Sequence, residues 1–217
     1  MIELKKVSKA FNDKVIFKDL DLSFNDNQLI GLFGPSGCGK TTLLNMISML
    51  DANYTGDILL NDINLKDVEK KKKEMFRTKN FSYIFSEPNL LNYLNVKENA
   101  LLPLRFQDKH ILDDELYQLS TSLGINSLLD HEIDTLSEGE KQRVSILRAL
   151  VTKSKIIICD EPTAHLDHEN SENIVKILKQ ISRENNILII MSCHDESLCD
   201  LFDRKYKFKD KNIYEFW

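Results

Sequence analysis

The chain has 217 residues, of which 42% are apolar and 29% charged, enough for one sizeable core in an ordinary water-soluble domain. Its net charge of −5 argues against nucleic acid as the main partner. The four cysteines (Cys38, Cys159, Cys193, Cys199) lack C-x-x-C spacing and, with no signal peptide, read as reduced cytosolic thiols. The longest apolar runs, 156–159 and 187–191, are far too short to span a bilayer, so a membrane role would run through another chain.

In chain order, 2–11 and 15–24 alternate as strands, with an Asn12-Asp13 turn signal between them. The short apolar run 29–33 leads into glycines, and 40–50 is rich in helix formers. Segments 56–60 and 81–85 read as further strands, and 88–106 as partly helical. The Lys70–Lys73 run is flanked by Glu69 and Glu74 and reads as a solvated helix face. Leu116, Leu119, Ser120 and Leu123 fall at helical spacing, with Gly124 as a stop. Runs 156–159 and 187–191 have the continuous apolar character of strands covered on both faces. Between them Ile174, Ile177, Leu178 and Ile181 mark an amphipathic helix. Strands alternating with helices predict an α/β fold around a largely parallel sheet.

Gly34-Pro35-Ser36-Gly37-Cys38-Gly39-Lys40-Thr41 satisfies G-x-x-x-x-G-K-[ST] between a predicted strand and a predicted helix. Glycines let successive backbone N–H groups turn toward an anion, and the helix N-terminus adds positive potential. Lys40 would reach the β- and γ-phosphates of a nucleotide, and the Thr41 hydroxyl would sit on Mg²⁺. A plain glycine turn would not require lysine and then threonine. The run Ile156–Cys159 ends in Asp160 and Glu161, and in such sheets ligands sit at the carboxyl ends of the strands. Asp160 would hold the Mg²⁺ shell and Glu161 would polarise an attacking water.

At 136–140 the chain reads Leu-Ser-Glu-Gly-Glu. Ser137 with Glu140 three residues on is a capping box, which needs no function, yet Gly139 occupies a first turn where a better helix former would stabilise more.

Taken together, GPSGCGKTT at 34–42, LSEGEKQRV at 136–144, IIICDEPTAHLD at 156–167 and MSCHD at 191–195 resemble the ABC-type ATPases over nearly the whole chain. The resemblance implies a P-loop NTPase fold: a RecA-like core with an N-terminal antiparallel β subdomain, over 1–85 and 150–217, and an α-helical signature subdomain over 86–149. It implies a head-to-tail homodimer closed by ATP, in which Ser137 and the Gly139 N–H reach the γ-phosphate held by the partner's loop. It further implies adenine stacking on Phe11, a nucleotide contact for the whole 34–42 stretch including Thr42, a dimer-crossing loop ending at Asp167, and a γ-phosphate contact for His194. His110, His131, His165 and His168 receive no role.

Two positions depart from the family pattern. Ser86 stands where the family's glutamine reaches Mg²⁺ and the attacking water; serine is shorter and acts only through a bridging water, which predicts slow basal hydrolysis. Glu138 replaces a glycine and would place like charge near a triphosphate, opposing closure.

The resemblance is to the branch that includes lipoprotein-release, macrolide and bacteriocin exporters. It implies an ATP-binding subunit on the inner face of the cell membrane, with a separate permease that selects the substrate docked in the groove near the glutamine-loop region at 83–91. An alternative is an ABC ATPase that drives a mechanical task, such as cell division, through a membrane partner. A neighbouring peptide-precursor gene would favour export, and a cell-wall hydrolase gene would favour division. A chromosome or DNA-repair ATPase is disfavoured by the acidic charge and the lack of room for a coiled coil.

Overall fold

The apolar runs become central strands. In a computed structural model, which describes residues 1–12, 14–107, 109–209 and 212–216, β3 (Leu29–Phe33), β7 (Ile156–Asp160) and β8 (Leu188–Cys193) lie side by side in parallel. They belong to a six-stranded sheet ordered β10-β9-β3-β8-β7-β6. Its remaining strands are β6 (Phe81–Phe85), β9 (Arg204–Lys209) and β10 (Asn212–Phe216), and only the β9–β10 pairing is antiparallel.

Period-two alternation divides the side chains of this sheet between two cores. Leu29, Phe33, Ile157, Cys159, Ile189 and Met191 face one side, and Ile30, Leu32, Ile156, Ile158, Leu188 and Ile190 face the other. The first side is covered by α3 (Val96–Arg105), α4 (Asp113–Ser122), α5 (Glu138–Leu150) and α6 (His168–Asn185). The second packs on α1 (Lys40–Ile47), through Leu43, Leu44, Met46 and Ile47. Beyond α1 lies an antiparallel sheet ordered β2-β1-β4-β5, formed by β1 (Ile2–Phe11), β2 (Lys14–Phe24), β4 (Thr55–Leu60) and β5 (Ile63–Asn64). The predicted strands are therefore present. The turn signal at Asn12-Asp13 falls partly outside the described residues, but Asn12 itself has φ 51°, a value asparagine tolerates in a tight turn.

Three expectations need adjustment. The first helix stops at Ile47 rather than continuing to 50, because Met49 takes a left-handed φ of 63°. The last central strand extends past 191 to Cys193. The Lys70–Lys73 run is a short 3-10 turn, Lys70–Lys72, that leads into α2 (Lys73–Asn80), and neither piece buries a residue.

Candidate nucleotide site

β3 delivers the 34–41 loop at its carboxyl end, and α1 begins at Lys40. Gly39 precedes that helix with φ 111°, and a Cβ there would come within 2.7 Å of both Ile16 and Phe17, so only glycine fits. Among the described residues, nothing accepts from the backbone N–H groups of Gly37, Gly39, Lys40, Thr41 or Thr42. These donors and the helix N-terminus form a concave positive surface suited to phosphate.

Lys40 is only 3% exposed. Its ammonium donates to the Gly34 carbonyl at 2.7 Å and the Pro35 carbonyl at 3.3 Å, and lies 3.6 Å from Glu161 Oε1. His194 Nε2 is 2.6 Å from the same carboxylate oxygen, and its ring nitrogens are 3.4 and 3.5 Å from Lys40 Nζ. Beside this trio, Thr41 Oγ1 donates to Asp160 Oδ1 at 3.1 Å. Thus Lys40, Thr41, Asp160, Glu161 and His194, from three parallel strand ends, converge on one spot.

Ser192, on β8, carries no role in the sequence reading, yet it fastens the two acids. Its hydroxyl donates to Asp160 Oδ1 at 2.7 Å and accepts from the Glu161 N–H at 2.9 Å. The only sequence signal was a hydroxyl inside an apolar strand. Glu161 needs that support, because its backbone φ is 52°, in the left-handed region disfavoured for a side-chain-bearing residue. Nearby, burial pushes the Cys159 thiol far up and the Cys193 thiol up to about 11, so neither is a thiolate at neutral pH.

One hydroxyl and one carboxylate side by side suit Mg²⁺, which takes few protein ligands and completes its octahedron with water and substrate phosphates. Among the described residues, no group of three or more His, Cys, Asp or Glu side chains could hold a metal. Thr41 and Asp160 therefore fit that ion rather than a closed protein cage.

Phe11 ends β1 and is half-exposed. The buried Lys9 ammonium lies 4.5 Å from its ring centroid and is itself fixed by Asp51 at 2.6 Å. A cleft of about 470 Å³ beside the hairpin tip is shared by Lys14, Val15 and Ile16 of β2 with Pro35, Gly37 and Cys38 of the loop.

The 136–140 segment lies elsewhere. Ser137 caps α5: its hydroxyl accepts from the Glu140 N–H at 3.3 Å and donates to Glu140 Oε2 at 2.8 Å, and its own N–H donates to that oxygen at 2.8 Å. Those two bonds hold the Glu140 carboxyl below the usual range. Glu138 pairs with Lys141 at 2.8 Å. A Cβ on Gly139 would lie 3.4 Å from Asn170 Oδ1, and Asn170 donates from its backbone N–H to Asp167, the cap of α6, at 2.8 Å. That bond, with a second from the Asn170 side-chain amide at 3.0 Å, holds the Asp167 carboxyl low. Ser137, Gly139 and Asp167 thus share one surface, and among the described residues no hydrogen bond or ion pair joins them to the Lys40 trio.

Ser86 follows Phe85, which pairs with Asp160 across the β6–β7 ladder, so it stands one residue beyond the acids. The segment after it is held by α5: Gln142 donates to the Phe85 carbonyl at 3.1 Å, and Arg148 donates to the Pro88 and Asn89 carbonyls at 2.5 and 2.8 Å. The sequence reading missed Gln142 and Arg148; Gln142 is a buried polar side chain in a helix that buries Val144, Ile146, Leu147, Ala149 and Leu150 around it.

A sequence model of the family described as "ABC transporter" matches residues 17–164, more than half of the chain. The chain belongs to the ABC transporter family. Its relatives include the ABC transporter ATP-binding protein YxdL of Bacillus subtilis, 32% identical over 99% of this chain and 85% of that protein. The bacitracin export ATP-binding protein BceA of Halalkalibacterium halodurans is 33% identical over 99% of this chain and 87% of that one. Among solved structures, the dimeric ABC transporter cassette MJ0796 superposes with a TM-score of 0.85 at 28% identity, covering 100% of this chain and 98% of that one. A dimeric post-hydrolysis state of MJ0796 bound to ADP and Pi superposes at 0.83, also with 28% identity and the same coverage. This chain is therefore an ABC ATPase with the P-loop NTPase fold, and no helix among its described residues is long and apolar enough to cross a membrane.

Proposed function

We propose that this ABC ATPase powers export through a separate permease at the inner face of the cell membrane, and works as a head-to-tail homodimer closed by ATP. The observation that carries the reading is the meeting of Lys40, Glu161 and His194 beside Thr41 and Asp160. Lys40 and the loop amides of 34–42 hold the β- and γ-phosphates, and Phe11 offers its exposed face to the adenine. Thr41 and Asp160 hold Mg²⁺, which neutralises phosphate charge when bound. Glu161 accepts a hydrogen bond from the attacking water and orients it, and His194 contacts the γ-phosphate. Ser86 reaches the water only through another water.

Ser137 and Gly139 complete the site from the partner subunit, with Asp167 in the loop that crosses between subunits. Among the described residues no hydrogen bond joins Ser137 or Gly139 to the Lys40 trio, which supports their serving a phosphate held by the partner subunit. Ser137 caps its own helix until closure, when the hydroxyl turns to the phosphate. Residues 86–149 form the arm that carries Ser137 and Gly139, and 1–85 with 150–217, which include Asp167, form the nucleotide core. The BceA and LolD relatives, the latter named for a lipoprotein-releasing system, support export as the task.

The test is Glu161→Gln with saturating Mg-ATP, analysed by light scattering on a sizing column. It is expected to run as a dimer with ATP and as a monomer with ADP. A strictly monomeric protein, alone and with its permease in detergent, overturns the reading.

A further inference from the structure

Residues 66–79 carry seven cations, Lys66, Lys70, Lys71, Lys72, Lys73, Arg77 and Lys79, against three acids, Asp67, Glu69 and Glu74, a net of +4. The whole chain carries −5, so the remaining residues total −9. The sequence alone gave this run no task beyond solvation. The fold changes that by bringing the end of α3 against α2. Lys71, Glu74, Met75 and Lys79 share a groove of about 710 Å³ with Phe106 and Lys109. Lys109 also borders a second groove with Lys97 and Arg105, so the cations continue as a band across both helices.

Two apolar side chains stand among them. Met75 is 66% exposed and Phe106 is 84% exposed. A groove built to seat a protein segment would keep such groups on its floor; here they protrude. Among the described residues, Lys71, Lys79 and Lys109 are in no ion pair, whereas Lys72 pairs with Glu69 and Lys97 with Asp113. Protruding apolar groups ringed by unpaired lysines on long flexible stems are the pattern of a surface that sits on an anionic bilayer, with the ammoniums at the headgroup phosphates and the apolar tips in the interface. We infer that the α2–α3 face of this protein binds acidic phospholipid directly. The acidic remainder of the molecule does not prevent this, because repulsion beyond about 10 Å is screened at physiological salt. The inference goes beyond docking to a permease and does not depend on the dimer.

The experiment is co-sedimentation of the full chain with vesicles of phosphatidylcholine alone or of its equal mixture with phosphatidylglycerol. Binding is expected only to the mixed vesicles and is expected to fall steeply with added salt. The combined Lys71→Gln, Lys79→Gln, Lys109→Gln variant should partition on the order of a hundredfold more weakly, with its melting temperature and ATPase rate unchanged. Combined Met75→Ser and Phe106→Ser should weaken binding while keeping the salt dependence. Failure to bind the mixed vesicles, or equal binding by the lysine variant, overturns the inference. Capture only by vesicles that contain the permease also overturns it, and assigns the face to a protein partner instead.

Discussion

At the scale of single residues, the two departures from the family pattern now have surroundings. Ser86 sits one position past the Phe85–Asp160 pair, close to the acids but with a side chain two bonds shorter than glutamine. Positioning of the attacking water is what such a group supplies. Ser86→Gln is therefore expected to raise basal ATP turnover about tenfold, measured by steady-state phosphate release; an unchanged rate removes the explanation. Glu138 turns toward Lys141, 2.8 Å away, so part of its charge is answered within its own helix. The exposed pair is a weak one, and repulsion across a closed dimer is only partly cancelled. Glu138→Gly should tighten ATP-driven dimerisation of the Glu161→Gln form, by about threefold to fivefold, read from the concentration dependence of its sedimentation. Equal dimerisation would mean that the carboxylate points clear of the nucleotide.

At the scale of elements, the signature helix α5 is fixed at its start by Ser137 and Glu140, and along its length by Gln142 and Arg148. The Glu140 carboxyl is held below its ordinary value by the Ser137 N–H and hydroxyl. A depressed carboxyl adds stability above its unfolded pKa and loses that contribution as pH falls through the folded one. The stability difference between the parent and Glu140→Gln, followed by urea unfolding, should accordingly be largest near neutral pH, about 1 kcal/mol or less, and shrink below about pH 4. A difference that stays constant down to pH 3 would show that charge plays no part in the cap.

Most of what positions the site was legible in the sequence because it is local. The glycine spacing of 34–39, the two acids at 160–161 that follow the 156–159 run and the box at 137–140 each follow from a few neighbouring residues. What was not legible depends on distant segments. Helix α2 has no apolar periodicity because it buries nothing. Strand β9 hides behind lysines, although Tyr206 and Phe208 alternate inward. Ser192 becomes informative only when β8 is laid beside β7, and Arg148 only when α5 crosses the 86–89 segment.

For the whole molecule, substrate binding and thermal stability are linked, since a ligand that binds only the folded state stabilises it by about 2.7 kcal/mol at a hundred times its dissociation constant. In a chain of this length that corresponds to roughly 5–10 °C in melting temperature. Mg-ATP is expected to raise the melting temperature of Glu161→Gln by that amount, and the rise should grow with protein concentration if two chains close over the nucleotide. A shift independent of protein concentration would indicate binding by single chains. Heat resistance also has a limit written into the residue that follows β7. Glu161 holds its main chain in a left-handed conformation that disfavours any residue with a Cβ by roughly 1–2 kcal/mol. The usual recipe for hardening an enzyme replaces such residues with glycine, and here that recipe would delete the carboxylate proposed to orient the water. Anyone breeding a sturdier version must leave this one awkward joint in place, because comfort there and turnover exclude each other.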